Sequence, residues 1–191
     1  MEIRSFLAFE LPPEIKKTLF NIYRSIRNTA LNVRYVKPDN IHLTMIFMGN
    51  IPMGLIEPIG EATEKVCQAY GPFAIKLKGI GVFSSRRNPR VLWVGVDGDP
   101  DRMSNFRDIL QRCLKPFGIR QEKRRFKPHL TLGRFRKGAR TDTYLDDLLS
   151  NYGDLETSVC VLERLVLFKS DLKPGGAVYS KMKEWLLTGT R

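Results

Sequence analysis

Only two histidines occur in this 191-residue chain, and each opens the same tripeptide: His42-Leu43-Thr44 and His129-Leu130-Thr131. The match extends upstream, with Arg34-Tyr35-Val36-Lys37-Pro38 before the first copy and Arg125-Phe126-Lys127-Pro128 before the second. Imidazole titrates near ~6.5, so both protonation states are accessible at neutral pH. A pair of them suits displacement at a phosphodiester. One neutral ring takes a proton from the attacking oxygen and one charged ring gives a proton to the leaving oxygen, each step worth roughly 10²–10⁴ in rate. The neighbouring Thr hydroxyls can donate hydrogen bonds to the non-bridging oxygens as charge builds there. That chemistry requires no metal, and the sequence offers no obvious carboxylate cluster to hold one. A single strand histidine is more often a satisfied structural residue than a catalyst. Two matching copies with shared flanks reverse that expectation.

Such residues must be positioned by strands, where side chains two apart share a face. His42 and Thr44 then project together while Leu43 and Met45 pack behind them, and His129 with Thr131 repeats the pattern against Leu130 and Leu132. Two motif strands side by side near the middle of a sheet would set two imidazoles and two hydroxyls around one cavity. Arg134 follows His129 by five residues, so strict alternation turns it away. A role at the phosphate requires a bulge or twist; otherwise it is a surface cation.

The remaining elements follow from periodicity and punctuation. Ile3 to Leu11 reads as a strand, and a helix from Pro13 to about Thr29 places Ile15, Leu19, Ile22, Tyr23 and Ile26 on one face. Short strands follow at Val33 to Val36 and Ile41 to Met48, the latter ending at Gly49-Asn50. A helix from Leu55 to Tyr70 is broken by Gly71-Pro72. Strands are expected at Phe73 to Val82 and Val91 to Val96, around a basic turn at Ser84 to Pro89. A helix from Asp101 to Phe117 has Met103, Phe106, Ile109, Leu110 and Cys113 as its inner stripe. The strand His129 to Phe135, a short helix from Asp142 to Tyr152, and strands at Val159 to Phe168 and Val178 to Trp185 complete the chain. This order gives an α+β fold with mainly antiparallel pairing. Gly81 to Pro89 and Lys137 to Thr143 are candidate mobile loops beside the site.

The length accommodates one bilobal body with a shared cleft. A formal net charge of +12 and a pI near 9.8 point to a polyanionic partner. Cations concentrate beside the second motif at Arg120, Lys123, Arg124, Arg125, Lys127, Arg134, Arg136, Lys137 and Arg140, against Glu122 alone. Cys67, Cys113 and Cys160 are odd in number and widely spaced, which fits buried thiols in a reducing cytosol and neither a disulfide framework nor a zinc site. The amino terminus turns polar too soon for a signal peptide, and no apolar run approaches a membrane span. A soluble cytoplasmic protein is expected, with monomer as the default state.

With these residues in view, the chain resembles the 2H phosphoesterases, and more narrowly the bacterial and archaeal RNA 2′,3′-cyclic phosphodiesterases long called 2′-5′ RNA ligases. The likeness runs from Arg4 to Leu11 through Val36-Lys37-Pro38-Asp39-Asn40-Ile41-His42-Leu43-Thr44-Met45, Phe47-Met48-Gly49, Gly81-Val82-Phe83, Pro89-Arg90-Val91-Leu92-Trp93, Phe126 to Arg134 and Leu167-Phe168-Lys169-Ser170. Tyr35 stands where Trp is frequent, and Gly133 where Ala is frequent. The resemblance implies two pseudo-symmetric α+β lobes with an active-site cleft between them, forming a single domain over 1–191. It implies hydrolysis of RNA 2′,3′-cyclic phosphate ends, tRNA fragments among them, to 2′-phosphates without metal or cofactor, and reversible 2′-5′ joining of RNA. By the same resemblance His42 is the proton donor, His129 the proton acceptor, Thr44 and Thr131 hold phosphate oxygens, and Arg134 supports the phosphate. Pseudo-symmetry makes the acid and base easy to exchange.

Other residues have two readings. Tyr35, Phe83 and Phe126 either stack on a base, worth about 1–3 kcal/mol where it occurs, or belong to the core. Arg90, with Arg86 and Arg87, either grips an RNA backbone or solvates a loop. Two alternative functions stand beside the enzyme: a non-catalytic RNA-end-binding protein, and a 2H phosphodiesterase for a small cyclic nucleotide. Complete His-x-Thr pairs disfavour the first, and the high positive charge favours a longer substrate than the second.

Overall fold

The computed structural model describes residues 1–29, 31–137 and 143–191. Within them the order is β1 (Glu2–Phe9), α1 (Pro13–Ile26), β2 (Val33–Tyr35), β3 (Leu43–Pro52), α2 (Ile56–Ala69), β4 (Phe73–Ser85), β5 (Asn88–Asp97), α3 (Pro100–Leu114), β6 (His129–Phe135), α4 (Thr143–Asn151), β7 (Cys160–Leu162), β8 (Arg164–Lys173) and β9 (Gly176–Leu186). The ladders are antiparallel, so the α+β reading holds. Arg140, Asp142 and most of the expected loop before α4 lie outside the described residues.

The motif strands are not neighbours in one sheet. The strands form one sheet in the order β3-β1-β8-β9 and a second in the order β2-β6-β5-β4-β7. β3 is the edge of the first sheet, and β6 lies inside the second, between β2 and β5. Each motif strand pairs with a strand of its own half, β3 with β1 and β6 with β5, so the two motifs meet between sheets. The series β3-β1-β8-β9 and β6-β5-β4-β7 correspond strand for strand, and β2 is added outside β6. This is the two-lobed pseudo-symmetric arrangement.

Several boundaries depart from the sequence reading, and three have a clear physical reason. The apolar run Val159 to Phe168 is broken at Glu163, because β7 pairs with β4 in the second sheet whereas β8 pairs with β1 in the first. β3 does not stop at Gly49-Asn50. Gly49 adopts φ 72° and the strand continues to Pro52, opposite Glu2; a left-handed residue inside a ladder is tolerated most easily by glycine. The turn expected at Ser84 to Pro89 narrows to Arg86 and Arg87, the neighbouring residues joining β4 and β5.

Helix faces behave as their periodicity demands. Ile15, Leu19, Ile22 and Ile26 of α1 are buried, as are Met103, Phe106, Leu110 and Leu114 of α3, while Ile109 and Cys113 are half-buried. Asp99 caps α3 by accepting a hydrogen bond from the Arg102 N–H at 3.1 Å, with Pro100 in the first turn. Helix α2 packs on β9 and α3, α3 also meets β3, and α4 lies on β4. Phe9 of β1, Phe73 of β4 and Phe106 of α3 join the sheets, with ring centroids 5.4 to 5.9 Å apart. They belong to one apolar core spanning both lobes. All three cysteines are free thiols, Cys67 and Cys160 buried and Cys113 half-buried. Among the described residues no helix is long and apolar enough to cross a membrane.

Candidate active site

Both motif strands carry a bulge at the same place. Residues directly opposite in an antiparallel pair share a face. On β6, Thr131 lies opposite Trp93 and Gly133 opposite Leu92, which leaves Leu132 unpaired. On β3, Thr44 lies opposite Ala8 and Ile46 opposite Leu7, which leaves Met45 unpaired. The extra residue reverses the alternation that follows it. Leu132 and Gly133 are both buried, and Arg134, opposite Val91, returns to the face of His129. In the same way Phe47, opposite Phe6, returns to the face of His42. Arg134 therefore faces the site, contrary to strict alternation. Its charge acts on His129 and also on Tyr179 of β9, which packs edge-on against His42 at 5.3 Å. The two motif faces thus converge across the groove between the sheets, where β3 and β6 touch.

The two rings are held alike. Nδ1 of His42 is 2.8 Å from the Asn40 carbonyl, and Nδ1 of His129 is 2.7 Å from the Lys127 carbonyl, in each case two residues back. A carbonyl only accepts, so each Nδ1 carries the proton, and Nε2 is left as the nitrogen that exchanges one. The turn Pro38–Asn40 and the Lys127-Pro128 step supply these carbonyls. Leu43, Met45, Leu130 and Leu132 are buried behind, as the alternation requires. Thr44 and Thr131 are half-buried on the histidine side.

The walls differ in character. His42 stacks on Phe6 at 4.5 Å, with Phe168 at 6.2 Å and Tyr179 completing an aromatic surround. Burial among these rings lowers its pKa from 6.5 to about 4, outweighing the Asn40 carbonyl. His129 meets the edge of Phe83 at 4.7 Å, and Phe83 leans on Trp93 at 5.4 Å. The Lys127 ammonium sits 4.5 Å over the Trp93 ring. Burial is again the largest cause lowering the His129 pKa, and the charges of Arg134 and Lys127 push the same way. Gly81 makes room for Trp93, since a Cβ there would stand 2.3 Å from the indole.

The structure gathers His42, Thr44, His129, Thr131, Arg134 and Phe83. It does not bring Tyr35 or Phe126 to them. Tyr35 lies opposite Gly133 on the core side of β6, and its hydroxyl donates to the Ile26 carbonyl at 2.8 Å. Phe126 is half-buried against the core beneath the Arg107 guanidinium at 5.1 Å. Buried Gln111 and Arg107 pin the same loop, Gln111 accepting from the Glu122 N–H at 2.6 Å. Arg90 is exposed where the β4–β5 register shifts between Phe83 and Ser84. Sequence reasoning missed Phe6, Trp93, Phe168 and Tyr179 as surroundings of the histidines, because their proximity is created by pairing between distant strands. Concavities of about 350 and 300 Å³ lie elsewhere, by Gln68 and Trp185 and by Ala62 and Phe117. Among the described residues no group of three or more His, Cys, Asp or Glu is placed to hold a metal ion.

The depressed pKa of His42 has a consequence for stability. Between pH 6.5 and about 4 the unfolded chain takes up a proton that the native ring refuses. Its contribution is therefore full above pH 6.5 and is lost as pH falls toward 4, by about 1.4 kcal/mol per pH unit. In urea titrations at pH 7.5 and 4.5, a His42→Asn variant should show a stability gap about 2–3 kcal/mol smaller than wild type. Equal gaps would show that the ring titrates normally.

The profile described as LigT like Phosphoesterase matches the chain twice, over residues 9–93 and 94–179, one match for each motif. The RNA 2′,3′-cyclic phosphodiesterase of Methanothermobacter thermautotrophicus is 31% identical over 187 residues, covering 98% of this chain and 100% of the relative. That of Aeropyrum pernix is 34% identical over 160 residues, covering 84% and 89%. A crystal structure from Thermus thermophilus matches with a TM-score of 0.82 at 23% identity, over 99% of this chain and 100% of the other. E. coli LigT complexed with 3′-AMP gives 0.77 at 24% identity, over 98% and 99%. These structural likenesses establish the fold.

Proposed function

The chain belongs to the LigT-like phosphoesterase family, and we propose that it hydrolyses RNA 2′,3′-cyclic phosphate ends to 2′-phosphates by paired-histidine acid–base chemistry. One observation carries this reading. Two matched imidazoles, each fixed through Nδ1 to a backbone carbonyl, leave two Nε2 atoms for proton exchange on converging faces. His129, the less buried ring beside Arg134, accepts a proton from water as the water oxygen bonds to phosphorus. The bond from phosphorus to the 3′ oxygen breaks on the far side, and His42 delivers a proton to that oxygen. Thr44, Thr131 and Arg134 hold the non-bridging oxygens as charge accumulates. A 5′-hydroxyl in place of water yields a 2′-5′ junction by the same proton transfers.

The anionic substrate also supplies the missing proton affinity. A phosphate charge against either ring favours the imidazolium, so the buried His42 becomes protonated as substrate arrives. The net charge of +12 and the exposed run Arg120, Lys123, Arg125 and Lys127 beside His129 favour RNA over a small cyclic nucleotide. We place the enzyme in the cytosol as a monomer, with tRNA fragments among its substrates.

The decisive assay uses EDTA-treated protein and an oligoribonucleotide ending in a 2′,3′-cyclic phosphate, with the product isomer identified. A 2′-phosphate formed at an undiminished rate is expected. Tight, salt-sensitive binding without turnover would instead indicate an RNA-end-binding protein. Activity lost to EDTA and restored by a divalent ion would reveal a metal requirement.

A further inference from the structure

We propose that Arg34, beside Arg134, is a second anion contact that holds the phosphodiester preceding the cyclic end; this rests on the RNA-end reading above. In the β2–β6 ladder Arg34 lies directly opposite Arg134. The pairing puts both side chains on one face, and that is the face to which the β6 bulge returns Arg134. Both residues are exposed.

Like charges directly opposite each other destabilise a sheet, and other ladders of this protein avoid the arrangement. Lys76 of β4 lies opposite Asp97 of β5, and Arg164 of β8 forms a diagonal ion pair with Glu184 of β9. Among the described residues neither Arg34 nor Arg134 has a carboxylate within ion-pair distance; the pairs nearest in kind, such as Arg124 with Glu122, lie on other segments. Among the described residues this arginine pair has no counter-charge, an arrangement that an anion completes. Arg134, on the face of His129, serves the reacting phosphate in the scheme above, and Arg34 stands one strand further out on the same surface.

The reach of Arg34 supports the assignment. Its guanidinium extends from the second sheet toward Gly176, at the turn between β8 and β9 of the first sheet, coming within 3.9 Å of where a Cβ would stand there. Asn40 fixes that hairpin from the same side, donating to the Ala177 carbonyl at 2.8 Å. The guanidinium thus reaches from the second sheet to the β8–β9 hairpin of the first, on the face that Arg34 shares with Arg134. A chain leaving the cyclic nucleotide in its 5′ direction carries its next phosphate about one nucleotide away, and the five-donor fork of Arg suits that oxygen pair. The occupant is therefore an internal RNA phosphodiester, which a mononucleotide lacks.

The test compares wild type with Arg34→Gln on a nucleoside 2′,3′-cyclic phosphate and on a trinucleotide with the same end, together with binding of the trinucleotide product across salt. On the trinucleotide KM should rise about tenfold with kcat retained, a change of the size that one charged hydrogen-bonded contact carries. On the mononucleotide the change should stay within about twofold. The slope of log binding constant against log salt should shrink by about 0.7, one phosphate contact on a single strand. Removal of the like-charge pair should also leave the free protein slightly more heat-stable, by about 1–2 °C. Equal losses on both substrates, or an unchanged trinucleotide KM and salt slope, would overturn the contact. Failure of the cyclic-phosphate reading looks different: wild type turns over neither substrate, while the binding arm still registers Arg34.

Discussion

Replacing either histidine by alanine is expected to lower kcat/KM on a cyclic-phosphate-ended oligonucleotide by about 10²–10⁴, with the fold retained. Retention follows from the alternation. Leu43 and Met45, and on the other strand Leu130 and Leu132, carry the packing on the hidden side, whereas both rings face the groove. The double variant should fall far short of the product of the two losses, because a proton donor without its acceptor completes no displacement. The assignment of His42 as donor and His129 as acceptor is separable from the pairing itself. A substrate whose bridging 3′ oxygen is replaced by sulfur leaves as a thiolate and needs no proton. With it the His42→Ala variant should recover most of its loss, and the His129→Ala variant should recover none. The opposite rescue exchanges the two roles. Near wild-type rates in either single variant on the natural linkage would remove the two-histidine scheme altogether.

What was legible beforehand was local. The two His-x-Thr patterns announced strands with a chemical face and a packed face, and Leu43, Leu130 and Leu132 are buried accordingly. Helix stripes such as Ile15, Leu19, Ile22 and Ile26 were set by a 3.6-residue period that no tertiary contact needed to reveal. What stayed hidden depends on partners remote in sequence. Nothing in Val159 to Phe168 marks Glu163 as the point where the chain changes sheets, since apolar residues continue on both sides of Glu163-Arg164. The bulges at Met45 and Leu132 are equally silent, because an extra apolar residue in a strand reads as ordinary buried sequence. Their consequence is large: they turn Arg134 and Phe47 onto the histidine face. The only trace is the duplication itself, in which Thr44-Met45-Ile46-Phe47 and Thr131-Leu132-Gly133-Arg134 share one spacing and end in opposite chemistries. Tyr35 illustrates the converse. Its place beside the motif suggested the site, and pairing with Gly133 turned it into the core instead.

The second large effect is on pH. The active form of a two-histidine catalyst carries one proton between its rings, and kcat/KM reports the titration of the free enzyme. Both rings are depressed in that state, His42 to about 4 and His129 below 6.5, each chiefly through burial. The pair therefore titrates in two macroscopic steps that both lie on the acid side of 6.5. Above the upper step the singly protonated form falls tenfold per pH unit, so kcat/KM should decline about a hundredfold between pH 6.5 and 8.5. This decline does not depend on which ring is the acid, since only the number of protons matters. The profile of kcat should lie at higher pH, because the bound phosphate charge favours imidazolium and offsets the burial of His42. A rate series from pH 4.5 to 8.5, in one buffer set at constant ionic strength, separates the two curves. A kcat/KM that stays flat above pH 6.5 would mean that the leaving oxygen takes its proton from a group other than these histidines. A shift of kcat/KM without any shift of kcat relative to it would mean that substrate adds no charge beside His42, and the phosphate would then lie elsewhere in the groove.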